Sequence, residues 1–377
     1  MRKILFFIET LGGGGAEKVL CDLVNHMDQS KFEITVQTLW PSENRTMLAE
    51  GIRYRSVYPA YSRLANDRMR LEGALGQIYR LRMKDKYDIE VAYLECGATK
   101  ILSSSTNRHA AKIAWVHSDL AVKMAGVLDV FVKKTAPQYR KFDEIVCVSE
   151  DSRKSFNALF GEALPVSVLY NTLDDQTVRA RSELPLPAAA VKRRTTLVSA
   201  GRLSAEKAYD RLLRVHKRLL EEGMEHDLWI VGEGGERPAL ERYVKENGLE
   251  DSVRLFGFQS NPYPFFRAAD LLVCSSHYEG FSTFITEGLI LGKPIVTTAC
   301  AGMRELLGNS EYGLITGNDE ESLCEGIKGC LADPALRRRF AEAALRRGAD
   351  FSAEELTRKT EAFLEEAFQH RRRQKKA

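Results

Sequence analysis

Two glutamates, Glu279 and Glu287, stand eight positions apart in HYEGFSTFITEGLILGKPIV, with Gly280, Phe281, Ser282 and Thr283 between them. A carboxylate accepts two hydrogen bonds at once, so it suits a vicinal diol of a sugar. The run before it, DLLVCSS, reads as a buried strand, which places His277 to Gly280 at a strand's carboxyl end, where open α/β sheets bind ligands. Ser282 is a candidate N-cap, and TFITEGLILG follows as an apolar helix closed by Gly292. Glu279 then lies in the loop ahead of the helix and Glu287 about one turn inside it. The backbone N–H groups of Gly280 to Thr283 suit phosphate oxygens. The layout fits a nucleotide-sugar: one acid on the hexose, one on the ribose, amides on the diphosphate. Taken alone, the stretch also reads as an ordinary helix cap, and His277 either meets a ligand or only shapes the loop.

In AGRLSAEKAYDRLL a strand ends at Gly201, and Arg202 and Lys207 bracket the turn that follows. Two cations at the carboxyl edge of a sheet suit a diphosphate, Arg by chelation and Lys as a point charge; the plain alternative is two surface charges. In ETLGGGGAEKVL the four glycines Gly12 to Gly15 separate a strand from a helix, which allows close approach of an anion to the helix start or is merely a flexible turn. It is not the G-x-G-x-x-G fingerprint of a dinucleotide site, which weakens a NAD-dependent oxidoreductase. His117, in AWVHSD, stands at another strand end, as a ligand contact or as a structural histidine.

These side chains need elements to hold them. The chain has 377 residues, too many for one core at roughly 150 residues per domain. Short apolar runs alternate with helix-like segments, the pattern of parallel sheets with crossover helices. Strands are expected at Ile4–Glu9, Glu33–Leu39, Ile89–Tyr93, Lys112–Val116 and Glu144–Val148. AEKVLCDLVNHM carries a helical stripe of Val19, Leu20, Leu23, Val24 and Met27. TLDDQTVRARSELPLPAAAVKRR is polar, with two prolines, and reads as a linker. The pattern restarts with strands in TTLVSAGRLS, DLWIVGEGGER, VRLFGF, DLLVCSS, KPIVTT and YGLIT. Two Rossmann-like domains follow: residues 1–172, a linker 173–194, and residues 195–352, with a helical segment and basic tail in 353–377.

Composition narrows the class. Hydrophobic content is 44%, charged content 28% and formal net charge +3, which suits a globular enzyme and not a nucleic-acid binder. Seven cysteines without a C-x-x-C pair read as reduced residues of a cytoplasmic protein. Seven histidines without H-x-x-x-H spacing point to no metal. The apolar start MRKILFFIETLGGGG lacks a small-residue cleavage site and reads as a first strand, and no run reaches the roughly 18 apolar residues of a membrane span.

EGFSTFITE, read as E-x7-E, together with GRLSAEK about 77 residues earlier, resembles the retaining glycosyltransferases of the GT-B fold, family 4 (glycosyl transferases group 1). YNTLD, WIVGEGGER, GKPIVTT and the glycine-rich first turn extend the likeness over nearly the whole chain. The resemblance implies two Rossmann-like domains facing across a deep cleft. It implies that Arg202 and Lys207 grip the donor diphosphate, Glu279 the donor sugar and Glu287 the ribose. Gly280, Phe281, Ser282 and Thr283 would offer backbone amides, Gly14 and Gly15 would approach the donor from the first domain, and His117 would lie near the reacting sugar. His117, Arg202, Lys207 and Glu279 are the catalytic set so implied, with no metal and no cofactor. The base is expected near Gly257, Phe258 and Asn261. One departure stands out: the family places glycine after the lysine, and here that residue is Ala208.

The function so implied is transfer of a hexose, with retention, from a nucleotide-sugar, a UDP-sugar first, to a hydroxyl of a glycan or lipid-linked saccharide in bacterial surface polysaccharide assembly. Basic and apolar residues in NDRMRLEGALGQIYRLRMKDK and VKMAGVLDVFVKKTAPQYRK suit peripheral contact with an anionic membrane at its cytoplasmic face, or plain solvated faces; the tail HRRRQKKA would add charge. A nucleotide-sugar epimerase on the same fold and a non-catalytic sugar-nucleotide-binding module are the alternatives.

Overall fold

The computed structural model describes residues 1–375, and the last two residues of the basic tail lie outside it. The chain divides into two compact units, unit 1 from Met1–Leu173 and Ala353–Ala377, unit 2 from Asp174–Ser352.

Unit 1 holds strands β1 (Arg2–Phe7), β2 (Phe32–Thr38), β3 (Arg53–Ser56), β4 (Ile89–Ala92), β5 (Ala111–Val116), β6 (Glu144–Cys147) and β7 (Val166–Val168). Its helices are α1 (Gly15–His26), α2 (Arg63–Ala74), α3 (Ile78–Arg82), α4 (Gly97–Leu102), α5 (Leu120–Lys123), α6 (Leu128–Tyr139) and α7 (Glu150–Phe160). The strands form one parallel sheet in the order β3-β2-β1-β4-β5-β6-β7. Its centre reads as continuous apolar runs because both faces are covered: Ile4 to Phe7 are fully buried. The edge strands β3 and β7 were not anticipated; RYRS is half-exposed and charged, and VSV is only three residues long.

Unit 2 holds α8 (Asp175–Ser182), β8 (Thr196–Ala200), α9 (Tyr209–Glu221), β9 (Asp227–Val231), α10 (Arg237–Glu246), β10 (Val253–Leu255) and α11 (Tyr263–Ala268). It continues with β11 (Leu271–Cys274), α12 (Thr283–Ile290), β12 (Ile295–Thr298), α13 (Met303–Leu307), β13 (Leu314–Thr316), α14 (Glu320–Ala332) and α15 (Pro334–Gly348). The parallel order is β10-β9-β8-β11-β12-β13. In each sheet the strand order reverses once, between β1 and β4 and between β8 and β11, and that reversal is where a doubly wound sheet opens a crevice for ligands.

The stretch 173–194 is not an unstructured linker. Asp174 caps α8 by accepting from Thr177 N at 2.8 Å, Asp175 sits in its first turn and Arg179 and Arg181 in its last, each complementing the helix dipole. The helix docks on α11 and α12 and buries Val178 and Ser182. At the other end α16 (Ala353–Gln374) packs on α1 of unit 1. There Arg2 makes a two-pronged bond with Glu365, at 3.1 and 3.0 Å, and Arg371 pairs with Asp143 at 2.9 Å.

Five of the seven cysteines are buried thiols, whereas Cys96 is exposed in the turn between β4 and α4 and Cys300 is half-buried; all seven are free. Two histidines lie wholly inside unit 2. His216 Nδ1 stands 2.8 Å from His226 Nε2, His216 Nε2 is 2.9 Å from Ser252 Oγ, and His226 Nδ1 is 2.8 Å from the Met224 carbonyl. One proton per ring satisfies this chain. Burial pushes the His216 imidazole down to about 3, with His226 and Arg194 adding to the shift, and burial lowers His226 as well.

Candidate active site

The carboxyl ends of β8 and β11 meet at the reversal point of unit 2 and carry most of the residues expected there. Lys207 sits in a short 3-10 turn after β8, Glu279 in the loop after β11, and the two pair at 2.6 Å. Ser276 Oγ donates to Glu279 Oε1 at 2.7 Å, and Ser275 Oγ donates to the Lys207 carbonyl at 2.8 Å. The two loops are therefore bonded together by backbone and side chain alike. Burial pulls the Lys207 ammonium towards neutrality, but the facing Glu279 carboxylate outweighs it and holds the pKa above its ordinary value. A small cleft opens over the pair, lined also by Ser199, Tyr209, Ser282 and Phe284.

Glycine sets the shape of this edge. Gly232, in the turn after β9, has φ +149°, and a Cβ there would stand 1.9 Å from the Gly201 carbonyl; one at Gly234 would stand 2.2 Å from the Leu203 carbonyl. The WIVGEGGER turn thus packs backbone to backbone against the turn leading to Lys207. Ala208 occupies a left-handed position, φ 49° and ψ 45°. That is the conformation in which glycine is free and a Cβ costs on the order of 1 kcal/mol, so the departure from the family pattern is a strained one. Its methyl group is buried, which offsets part of the strain.

Arg202 is exposed, and no bond engages its guanidinium among the described residues. Ser282 caps α12, accepting from Ile285 N at 3.4 Å, and lines the same cleft as Lys207 and Glu279. Glu287 is buried and accepts from the Tyr263 hydroxyl at 3.3 Å. Of the residues expected to meet the base, Phe258 presents an exposed ring and Gly257 has φ +70°. Asn261 donates its Nδ2 to the Arg181 carbonyl of α8 at 3.0 Å, while its Oδ1 is buried without a hydrogen-bond partner among the described residues.

His117, Gly14 and Gly15 belong to unit 1. Gly14 is the N-cap of α1, Gly15 its first residue, and the positive φ of the glycine run falls on Gly13, at +84°. His117 follows the carboxyl end of β5, the neighbour of β4 in its own sheet. Its ring lies against Tyr93, its Nε2 is buried without a hydrogen-bond partner among the described residues, and its backbone N–H donates to Glu95 at 2.9 Å. Burial lowers the imidazole to about 4, against the opposing pull of Glu95.

Glu95 itself was missed by sequence reasoning. It is 2% exposed and accepts from Ser118 Oγ at 2.6 Å and Lys123 Nζ at 2.7 Å. Burial would raise its pKa, but Lys123 and His117 hold it well down, at about 2. Its signal was available: a charged residue following the apolar run IEVAYL at a strand's carboxyl end. The serines of DLLVCSS gave a similar signal.

Two family models match the chain: Glycosyltransferase Family 4 over residues 13–177 and Glycosyl transferases group 1 over residues 183–347. The chain belongs to this family of glycosyltransferases. The fold is GT-B: Anabaena HepE with UDP-glucose superposes with a TM-score of 0.76 at 20% identity, over 97% of this chain and all of that one. Sucrose-phosphate synthase from Thermosynechococcus elongatus superposes at 0.78 and 17% identity, over 98% of this chain and all of that one.

Among curated proteins it resembles the Campylobacter jejuni N-acetylgalactosamine-N,N'-diacetylbacillosaminyl-diphospho-undecaprenol 4-alpha-N-acetylgalactosaminyltransferase. Identity is 33% over 52% of this chain and 53% of the relative. The lipopolysaccharide core biosynthesis glycosyltransferase LpsD of Rhizobium meliloti is 31% identical over 54% of this chain and 57% of its own. The chain thus spans little more than half the length of these relatives.

Proposed function

We propose that the protein is a retaining hexosyltransferase that moves a sugar from a UDP-sugar to a hydroxyl of a lipid-linked or polysaccharide acceptor in bacterial surface-glycan assembly. The observation that carries this is the Lys207–Glu279 pair, held over a pocket at the reversal point of the unit 2 sheet, with the free Arg202 and the start of α12 beside it. Lys207 keeps its proton at any working pH, so it serves as a fixed positive charge for a diphosphate leaving group. Glu279 balances that charge in the free protein and takes sugar hydroxyls in the complex. Glu287 binds the ribose, and Arg202 adds a second cation at the diphosphate. The departing phosphate takes the acceptor's proton, giving front-face attack. A metal is not required in this scheme.

The donor assignment draws on HepE, solved with UDP and with UDP-glucose, and the acceptor on the Campylobacter relative, whose name specifies an undecaprenol diphosphate saccharide. Contact with an anionic membrane at its cytoplasmic face belongs to the same proposal. In α2 and the turns beside it Tyr61, Leu64, Leu71 and Leu75 are exposed, with Arg63 and Arg70 among them, and Val130 of α6 is exposed near Lys133 and Lys134. No helix among the described residues is long and apolar enough to cross a membrane.

The test is incubation with a panel of UDP-, GDP- and ADP-sugars, with and without lipid-linked saccharide, reading nucleotide release and the anomeric configuration of the product. Acceptor-dependent UDP release with retained configuration supports the reading. A changed sugar without acceptor makes the protein an epimerase, binding without turnover makes it a module, and inversion removes the retaining mechanism.

A further inference from the structure

His277, left open by the sequence, is held on three sides. Its N–H donates to the Glu206 carbonyl at 2.8 Å, in the turn that carries Lys207. Its carbonyl accepts from Asn318 Nδ2 at 2.8 Å, and its ring Nδ1 faces an Nη of Arg211. The other Nη of Arg211 donates to Asn318 Oδ1 at 2.8 Å, and Asn318 Nδ2 also reaches the Ala299 carbonyl at 3.1 Å. A guanidinium only donates, so Nδ1 of His277 is the acceptor; the ring is neutral and carries its proton on Nε2.

Arg211 itself is 6% exposed, and no carboxylate pairs with it among the described residues. Asp319, held below its ordinary range first by hydrogen bonds from Ser322, also feels the Arg211 guanidinium without pairing directly with it. Arg211 spends both terminal nitrogens on neutral acceptors that tie α9 to the loops after β11 and β13. Two residues beyond His277 is Glu279, and one residue beyond Glu206 is Lys207.

We propose that Arg211 is a positioning residue that, through His277 and Asn318, holds the loop of Glu279 against the turn of Lys207 and so sets the Lys207–Glu279 pair. Without the fork, the Glu206–His277 bond loses its support from below and the pair loosens. A lysine at 211 keeps the charge but cannot hold both acceptors at once.

The experiment reads Lys207 directly in the full chain. Acetic anhydride labelling at mild pH, followed by peptide mass spectrometry, gives the rate at Lys207 relative to exposed Lys84 in unit 1. A Lys207 released from Glu279 is a better nucleophile. Arg211→Met, Arg211→Lys and Asn318→Ala are each expected to raise that ratio at least threefold. His277→Asn, whose side-chain carbonyl still accepts from the guanidinium, is expected to keep it near the wild-type value.

The second arm rests on the transferase reading above: Arg211→Met lowers kcat at least tenfold while UDP affinity stays within twofold. Unchanged labelling in Arg211→Met and Asn318→Ala overturns the proposal, as does a kcat loss matched by lost UDP affinity. If Arg211→Met fails to fold, Asn318→Ala, on an exposed loop, decides alone. If the wild type transfers no sugar, the transferase reading falls and the labelling ratio still decides this one.

Discussion

Acidifying the solution to a pH still above the carboxylate range should destabilise unit 2 through its two buried histidines. Unfolded, a histidine titrates near 6.5; folded, His216 is held at about 3 because its ring is buried and bonded at both nitrogens. Between those values the unfolded chain binds a proton that the folded chain refuses. The stability is therefore complete above the unfolded pKa and falls with pH, by about 1.4 kcal/mol per unit. Going from about pH 7.5 to about pH 5.0 removes roughly 2 kcal/mol through His216 alone, and His226 acts in the same direction.

Trp229 lies in the core of unit 2 and the other two tryptophans, Trp40 and Trp115, in unit 1. Urea unfolding followed by fluorescence in a Trp40→Phe, Trp115→Phe background therefore reports on unit 2. The loss should appear there and should shrink in a His216→Gln, His226→Gln variant. An equal pH dependence with and without the two imidazoles would refute the reasoning.

Lys207→Ala is expected to lower kcat by about 10²–10³, the usual cost of one electrostatic contact made in the transition state, with UDP affinity changed far less; steady-state kinetics and calorimetry separate the two. Glu287→Ala should raise the donor KM while leaving kcat near its wild-type value. Gly232→Ala would place a methyl group against the Gly201 carbonyl and should cost about 2–4 kcal/mol or shift the turn, read as a lower unfolding midpoint of unit 2. Leu71→Ser with Leu75→Ser should weaken co-sedimentation with anionic vesicles without changing turnover of a water-soluble acceptor.

Central strands and their helices were legible because burial on both faces writes uninterrupted apolar runs, as in KILFFI and DLLVC. The edges of unit 2, in VRLFGF and YGLIT, were legible too, but those of unit 1 were not: RYRS of β3 is half-exposed and carries the charge of a loop. Nor was α8, whose polar sequence hides a helix held by its cap and by two neighbouring helices. At the site, Lys207 and Glu279 could be named because their chemistry is in their side chains. Their mutual pairing, and the fork of Arg211 beneath them, depend on distances between residues far apart in the chain, which local patterns do not encode.

Unit 1 is written in two pieces, with all of unit 2 between them. During synthesis its first 173 residues leave the ribosome without α16, the helix that covers α1 and anchors Arg2 and Asp143. At about 5–20 residues per second the wait is on the order of ten to forty seconds. In that interval the apolar side chains destined for α16 stand open to chaperones or to other nascent chains. Recombination meets the same constraint: a chimera that takes its first unit from a relative by a single cut near residue 173 inherits a sheet and a closing helix that never evolved together. Only a double exchange, moving both segments, transplants the unit whole.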